Sequence, residues 1–245
     1  MKEHMNQNYF GYWFPKIKDC GIKVPKTLIF EVPREYETHF FSEEPDTDFR
    51  AVERWINKNV IPVLKKSELN GKLLFIKNGL FSNKFDATDC FTSVRRLADS
   101  LMNINYAALC LGAGGWEELV IRERIPHNMK KTPCIYGGLP LRSEFRVFYN
   151  FDTHKVLYTT NYWQYDYVCN KLYDITDKVI FEYMRKKLEA EFEKNEKKVS
   201  SLVHLAMKRI NELKGNWSID IMMDENGNFW LIDMAIAEES AYWKG

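Results

Sequence analysis

Residues 217 to 233 read Trp217-Ser218-Ile219-Asp220-Ile221-Met222, then Met223-Asp224-Glu225-Asn226-Gly227, then Asn228-Phe229-Trp230-Leu231-Ile232-Asp233. Two apolar segments around an acidic, Gly-containing turn predict a β-hairpin, and each segment sets one Asp among bulky residues. If Asn226-Gly227 or Glu225-Asn226-Gly227-Asn228 forms the loop, paired residue numbers sum to 453 and Asp220 lies directly opposite Asp233. If the loop is Asp224 to Gly227, the sum is 451 and the two are diagonal neighbours. Either register puts both carboxylates on one face, roughly 5 to 8 Å apart, among Met222, Phe229 and Leu231. Like charges so placed repel, and an unpaired buried carboxylate is costly, so a cation is expected between them. A hard divalent ion such as Mg²⁺ meets that demand. The competing account makes these edge strands, with both Asp solvated or paired to Lys.

The rest of the chain supplies enough apolar material to surround such a hairpin. With 245 residues, 45% hydrophobic and 15% aromatic, it can build one large domain or two small lobes with real cores. Its 35 Lys+Arg against 34 Asp+Glu leave a net charge of +1. No global field therefore favours nucleic acid or an anionic membrane surface. Cys20, Cys90, Cys110, Cys134 and Cys169 are scattered singly, without a CxxC pair or zinc spacing, as expected of reduced thiols in a cytoplasmic protein. No apolar run approaches the roughly 18 residues of a membrane span, and Met1 to Met5 lack a signal-peptide core. A soluble, cytoplasmic protein is expected.

Strand and helix patterns alternate along the chain. Residues 24 to 32 predict a strand, and residues 48 to 66 a helix that Pro62 should kink or divide. Residues 71 to 77 predict a strand, 78 to 84 a loop and 89 to 111 a helix. Strands follow at 119 to 125, 144 to 149 and 155 to 160, then one long helix or two between 177 and 213, closed by Gly215. Mixed elements with antiparallel strands late in the chain argue for an α+β fold.

Several charged residues sit where chemistry could use them. Lys77 ends an apolar strand and runs into a loop carrying Gly79, Ser82 and Lys84, in which ammonium groups and loop amides suit phosphate oxygens; the alternative is a surface hairpin with solvated lysines. In Ser143-Glu144-Phe145-Arg146-Val147, alternation puts Glu144 and Arg146 on one face. The two could be a structural ion pair. They could instead divide the work, Glu144 accepting hydrogen bonds from a ribose and Arg146 stabilising a transferring phosphoryl group. Arg122, Glu123 and Arg124 interrupt the apolar strand 119 to 125, which suggests an edge strand or a lobe connector. Tyr162, Trp163, Tyr165 and Tyr167 are either an acceptor pocket or core.

In order, these pieces resemble the ATP-grasp superfamily across residues 15 to 240. Gly21, Pro25 and Thr27 match its Gly-x-x-x-Pro-x-Thr strand opening. Lys77 and the loop 78 to 84 match its strand-end Lys and mobile loop. Glu123-Arg124-Ile125 match the hinge whose backbone reads adenine, Glu144 the ribose-binding carboxylate, and Asp220 and Asp233 its two metal-binding acids. Asp rather than Glu at 233, in an Ile-Asp ending, is similar to the branch containing the cell-division-cycle 123 proteins. Ala235 departs from the pattern, which often places a metal-binding Asn there, unless Glu238 or Glu239 takes over. Lys16 and Lys18 are alternatives for the family's further phosphate-binding Lys.

The resemblance implies two α+β lobes with ATP between them. It divides the chain into an N-terminal segment and lobe opening (1–70), a small nucleotide-binding lobe with the phosphate loop (71–125) and a C-terminal lobe with the metal-binding hairpin (126–245). The implied activity is an ATP- and Mg²⁺-dependent ligase that forms an acyl phosphate from a small-molecule or peptide carboxylate and joins it to an amine. Lys77, Ser82, Lys84, Glu123, Arg124, Ile125 and Glu144 would bind ATP, Asp220 and Asp233 the metal, and Arg146 would act on the transferred group. Two alternatives stand beside it. One is an ATP-binding assembly factor that docks a protein partner without ligation. The other is a nucleotidyltransferase using Lys77 covalently on nucleic-acid ends, although Lys77-Asn78-Gly79 lacks the usual Lys-x-Asp-Gly pattern and no basic stripe supports it.

Overall fold

The computed structural model describes residues 6 to 41, 45 to 128 and 130 to 245. Two four-stranded antiparallel sheets dominate. In the first, β1 (Thr27–Glu31), β2 (Leu74–Asn78), β3 (Phe91–Thr92) and β4 (Glu118–Glu123) are ordered β1-β4-β2-β3. A small ribbon, β5 (Cys134–Ile135) and β6 (Leu139–Pro140), precedes the second sheet. That sheet comprises β7 (Glu144–Asn150), β8 (Lys155–Asn161), β9 (Asn216–Met223) and β10 (Phe229–Ile236), ordered β10-β9-β7-β8. The α+β expectation holds. No helix among the described residues is long and apolar enough to cross a membrane.

Each sheet buries one face and turns the other toward its partner. In the first, Leu74 and Ile76 of β2 and Leu119 and Ile121 of β4 pack beneath Val52, Trp55, Leu64, Leu101 and Ile104. Leu101 and Ile104 lie on α2 (Leu97–Cys110). The second sheet sets Phe145, Val147, Trp217, Ile219 and Ile221 against Val199 and Val203 of α3 (Ile175–Met207). Helix α1 (Phe10–Ile17) drives Phe10, Trp13 and Ile17 into that second core, with no exposure at any of the three. The first sheet and its core fall within residues 27 to 123 and so cross residue 70, while the first helix packs on the second sheet, so only the second lobe is assembled from separate stretches of chain.

Two of three local expectations change. The helix expected over 89 to 111 begins at Leu97; Phe91 and Thr92 instead pair with Phe75 and Leu74 of β2, where Phe75 and Phe91 make an edge contact with centroids 5.6 Å apart. Cross-strand packing outweighs local propensity there. The helix across Pro62 divides as expected: a π-helical turn, Ile56–Val60, separates Pro45–Trp55 from Ile61–Lys66 and places the proline in the first turn of the latter, where its missing N–H costs little. Finally, β4 is an interior strand despite Arg122, Glu123 and Arg124, because its charged residues face the interlobe space or leave at the strand end.

Near its turn the hairpin departs from both expected registers, and beyond Ile232 it takes the first of them, with Asp220 directly opposite Asp233. Its loop is three residues, Glu225 to Gly227, closed by Asp224 N–H to the Asn228 carbonyl at 2.9 Å, with Gly227 at φ +77°. This is a turn in which the last position must be left-handed, hence glycine. Pairs near the turn, such as Leu231 with Ile221, would leave Asp233 on the core face two residues later. A bulge at Ile232 resets the register, so Asp233 lies directly opposite Asp220. Phe229 and Leu231 are correspondingly in the core and not around the carboxylates. One extra residue turns Asp233 toward the other sheet.

Candidate functional site

The free faces of the two sheets line a cavity that opens to solvent. Phe75, Lys77 and Arg122 line it from the first sheet, Glu144, Asp220, Met222 and Asp233 from the second, and Ser82 and Lys84 from the connecting loop. Glu123 and Ile125 also reach it. Eight of the residues singled out in the sequence (Lys77, Ser82, Lys84, Glu123, Ile125, Glu144, Asp220 and Asp233) therefore converge. Arg124 does not line it; its guanidinium lies 4.1 Å from the Phe91 ring centroid. Arg146 lines a second cavity behind the first.

Cross-strand register fixes the acidic row. Asp220 is flanked by Asp233 on β10 and by Arg146 on β7. Arg146 grips Asp220 with two parallel bonds, Nε to Oδ1 at 2.8 Å and Nη2 to Oδ2 at 2.7 Å. Lys77 reaches across from the first sheet to both Asp233 oxygens at 3.2 Å. Each carboxylate thus has its own cation, which relieves the repulsion read from the sequence. The pairing with Lys that the competing account foresaw is realised for Asp233, but within an interlobe cavity.

Four cations converge here: Lys77, Lys84, Arg122 and Arg142. Arg122 spans the lobes, Nε donating to Thr27 Oγ1 at 3.3 Å and Nη1 to the Ile232 carbonyl at the bulge, over the Phe10 ring. Its Nη2 is buried without a partner. Burial lowers the Arg122 pKa to about 10, partly offset by Asp233, so it remains charged at neutral pH. Burial also pulls the Lys84 ammonium down, but Tyr162, to whose hydroxyl it donates, together with Glu144 and Asp220, holds its pKa above the ordinary lysine value.

Burial raises the Glu144 carboxyl to about 7, against the counter-pull of Lys84. Between the unfolded value of 4.5 and 7 the folded protein holds a proton that the unfolded chain has lost, so this group's contribution to stability falls as pH rises through that window. In metal-free buffer, the Tm difference between wild type and Glu144→Gln should shift toward the variant from pH 5 to 7.5. A pH-independent difference would refute the raised pKa.

Arg122 and Arg142 were not identified as site residues in the sequence, and neither were the apolar walls Phe75, Phe91, Leu139 and Pro140, whereas Met222 lies beside the carboxylates as expected. Arg122 left a signal, a cation inside an apolar strand. The walls left none, since single apolar residues at alternating positions look like any core. Lys16 folds back on its own helix, donating to the Tyr12 carbonyl, and is not in the cavity. Glu238 and Glu239, the alternatives to the Asn missing at Ala235, accept from Asn216 and Asn8 and do not line the cavity. Among the described residues no group of three or more His, Cys, Asp or Glu is spaced to hold a metal by itself.

No family model matches the chain, and no curated protein does. Among solved structures, Cdc123 from Schizosaccharomyces pombe is similar over 98% of this chain and 88% of that one, at 13% identity and a TM-score of 0.54. The biotin carboxylase domain of 2-oxoglutarate carboxylase from Hydrogenobacter thermophilus aligns with 94% of this chain and 39% of its own, at 10% identity and a TM-score of 0.45. D-alanine–D-alanine ligase from Bacillus anthracis, complexed with ATP, aligns with 91% of this chain and 51% of its own, at 11% identity and a TM-score of 0.41. Two α+β lobes closing on a charged cavity, together with the near full-length likeness to Cdc123, give the chain the ATP-grasp fold.

Proposed function

We propose that the interlobe cavity binds ATP with Mg²⁺ and that the protein is an ATP-dependent ligase joining a carboxylate to an amine. The observation that carries this is the convergence of Lys77, Lys84, Arg122 and Arg142 beside two directly opposed aspartates in one cavity. With Asp233 paired to Lys77 and Asp220 to Arg146, three further cations, Lys84, Arg122 and Arg142, face the cavity, and the unpartnered Arg122 Nη2 awaits an anion. Phe75, Phe91, Leu139 and Met222 supply apolar faces suited to a purine. The N–H groups of Glu123 and Arg124 are used by the sheets, donating to Lys26 at 2.8 Å and Leu73 at 3.0 Å, so a base edge would be read by backbone from Ile125 onward.

Asp220 and Asp233 fit Mg²⁺, which characteristically takes one or two carboxylates and completes its shell from phosphate oxygens and water. When bound it would neutralise charge on those oxygens. The chain's own residues do the rest. Lys77 and Lys84 hold phosphate oxygens, Glu144 accepts from the ribose, the loop carrying Ser82 and Lys84 excludes water, and Arg146 orients the acid against the γ-phosphorus. Carboxylate attack there gives an acyl phosphate and ADP; the amine then displaces phosphate.

ATP with Mg²⁺ should raise the Tm of wild type, and Asp233→Asn should remove most of the Mg²⁺-dependent part. With pooled acids and amines, ADP and phosphate should accumulate. An unchanged Tm would refute the site, and AMP with pyrophosphate would refute the acyl-phosphate route. ATP binding with no turnover would leave the assembly-factor account, which the missing Asn at Ala235 favours.

A further inference from the structure

A second cavity adjoins the first and shares Lys84, Leu139 and Trp163 with it. Its walls have an unusual chemistry. Phe85, Tyr136, Tyr162, Tyr167 and Tyr242 turn toward it, while Lys84, Arg146 and Lys171 supply three cations; among the described residues no carboxylate lines it, Asp220 holding Arg146 from the first cavity. The rings meet edge to face, Phe85 with Tyr136 at 5.3 Å and Tyr167 with Tyr242 at 4.9 Å between centroids. The cations lie over rings: Lys84 is 4.3 Å from the Tyr162 centroid and Lys171 is 3.7 Å from that of Tyr167. Tyr136 and Tyr242 both sit in the left-handed region, at φ +52° and +71°. Bulky side chains adopt that conformation at a cost, and here both line one cavity. Tyr242 is held by its hydroxyl donating to the Tyr162 carbonyl at 2.8 Å.

We propose that this cavity takes the acid substrate, and that the acid is an aryl or arylalkyl carboxylate without an ammonium group. This rests on nucleotide binding in the first cavity. Lys84 stands in the shared wall and Arg146 joins the second cavity to Asp220 of the first, so a carboxylate between them faces the phosphate end. The tyrosines beyond it offer π faces and edges to a ring. A free α-ammonium would meet three cations and no carboxylate, which disfavours amino acids. In the reaction a carboxylate oxygen bonds to the γ-phosphorus while the bond from phosphorus to the β,γ-bridging oxygen breaks, its electron pair leaving with ADP. Added hydroxylamine then attacks the acyl carbon, phosphate departs, and a hydroxamate forms.

The test is calorimetric titration of the whole protein with 3-phenylpropionate, phenylalanine, hexanoate and 3-phenylpropanol, alongside ATP with Mg²⁺. The phenylpropionate should bind at least tenfold more tightly than the compound carrying the ammonium, the one lacking the ring or the one lacking the carboxylate. Lys171→Met and Tyr167→Ala should each weaken it at least fivefold and leave ATP affinity unchanged, since both residues lie outside the first cavity. With hydroxylamine and ATP, the same acid should yield its hydroxamate. ATP binding without any preference for phenylpropionate would overturn the acid assignment alone. Preferential phenylpropionate binding without ATP binding would overturn the nucleotide reading, and with it the role as co-substrate. Tighter binding of phenylalanine or hexanoate would overturn the proposed class.

Discussion

Asp220→Ala should lower the free energy of unfolding by about 3 to 5 kcal/mol, the range for breaking a buried ion pair by removing one partner. Arg146 is bound to Asp220 through both of its forked donors, and their side chains are only 12% and 8% exposed. Without Asp220, the guanidinium keeps Ala241 O at 3.2 Å as an acceptor for Nη1 but loses the charge that offsets its burial. Asp233 is a neighbour, yet it is already engaged by Lys77 from the other sheet. The double variant Asp220→Ala, Arg146→Met should recover more than half the loss, because replacing both charges removes the burial cost as well as the attraction. Urea unfolding of the four proteins measures this directly. A loss below about 1 kcal/mol in Asp220→Ala, the level of an exposed pair, would show that water reaches Arg146. A double variant no more stable than Asp220→Ala would place the cost elsewhere.

Much of this site was legible in the sequence because period-two alternation is a local property. Asp220, Glu144 and Arg146 each sit between core residues, so their shared face follows from the strand alone. Asp233 is different. Plain alternation from Leu231 would have placed it in the core; only the bulge at Ile232 brings it to Asp220, and a bulge depends on backbone pairing that composition does not display. The same limit applies to Arg122. Its charge inside an apolar strand suggested an exposed edge or a lobe connector, whereas it is buried between Thr27, Phe10 and the Ile232 carbonyl, partners 95 or more residues distant in the chain. Phe91 was assigned to a helix because its neighbours continue a helical pattern; its packing on Phe75 became visible only once β2 was in place. The fold class survived these misplacements because it depends on the order of elements and not on their ends.

Lys77→Met should reduce ATP affinity by about 10- to 150-fold, the equivalent of the 1.5 to 3 kcal/mol carried by a hydrogen bond to a charged group, while leaving the fold nearly as stable as wild type. The two effects separate because the partners of Lys77 are unequal. Lys77 is 5% exposed at the side chain, so its ammonium loses hydration on folding and is available to a phosphate in a poorly screened setting. Asp233 is 41% exposed and can return to water when its partner is removed, so the change in unfolding free energy should stay within about 1 kcal/mol. A methionine at 77 keeps the stem packed where the ammonium sat, 5.4 Å from the Phe10 ring centroid. Calorimetric titration with ATP and Mg²⁺, together with urea unfolding, reads both quantities. Unchanged affinity would assign Lys77 to the Asp233 ion pair alone, with no part in holding phosphate. A large loss of stability with unchanged affinity would make the Lys77–Asp233 contact an interlobe brace, and the anion-binding role would then have to rest on Lys84, Arg122 and Arg142.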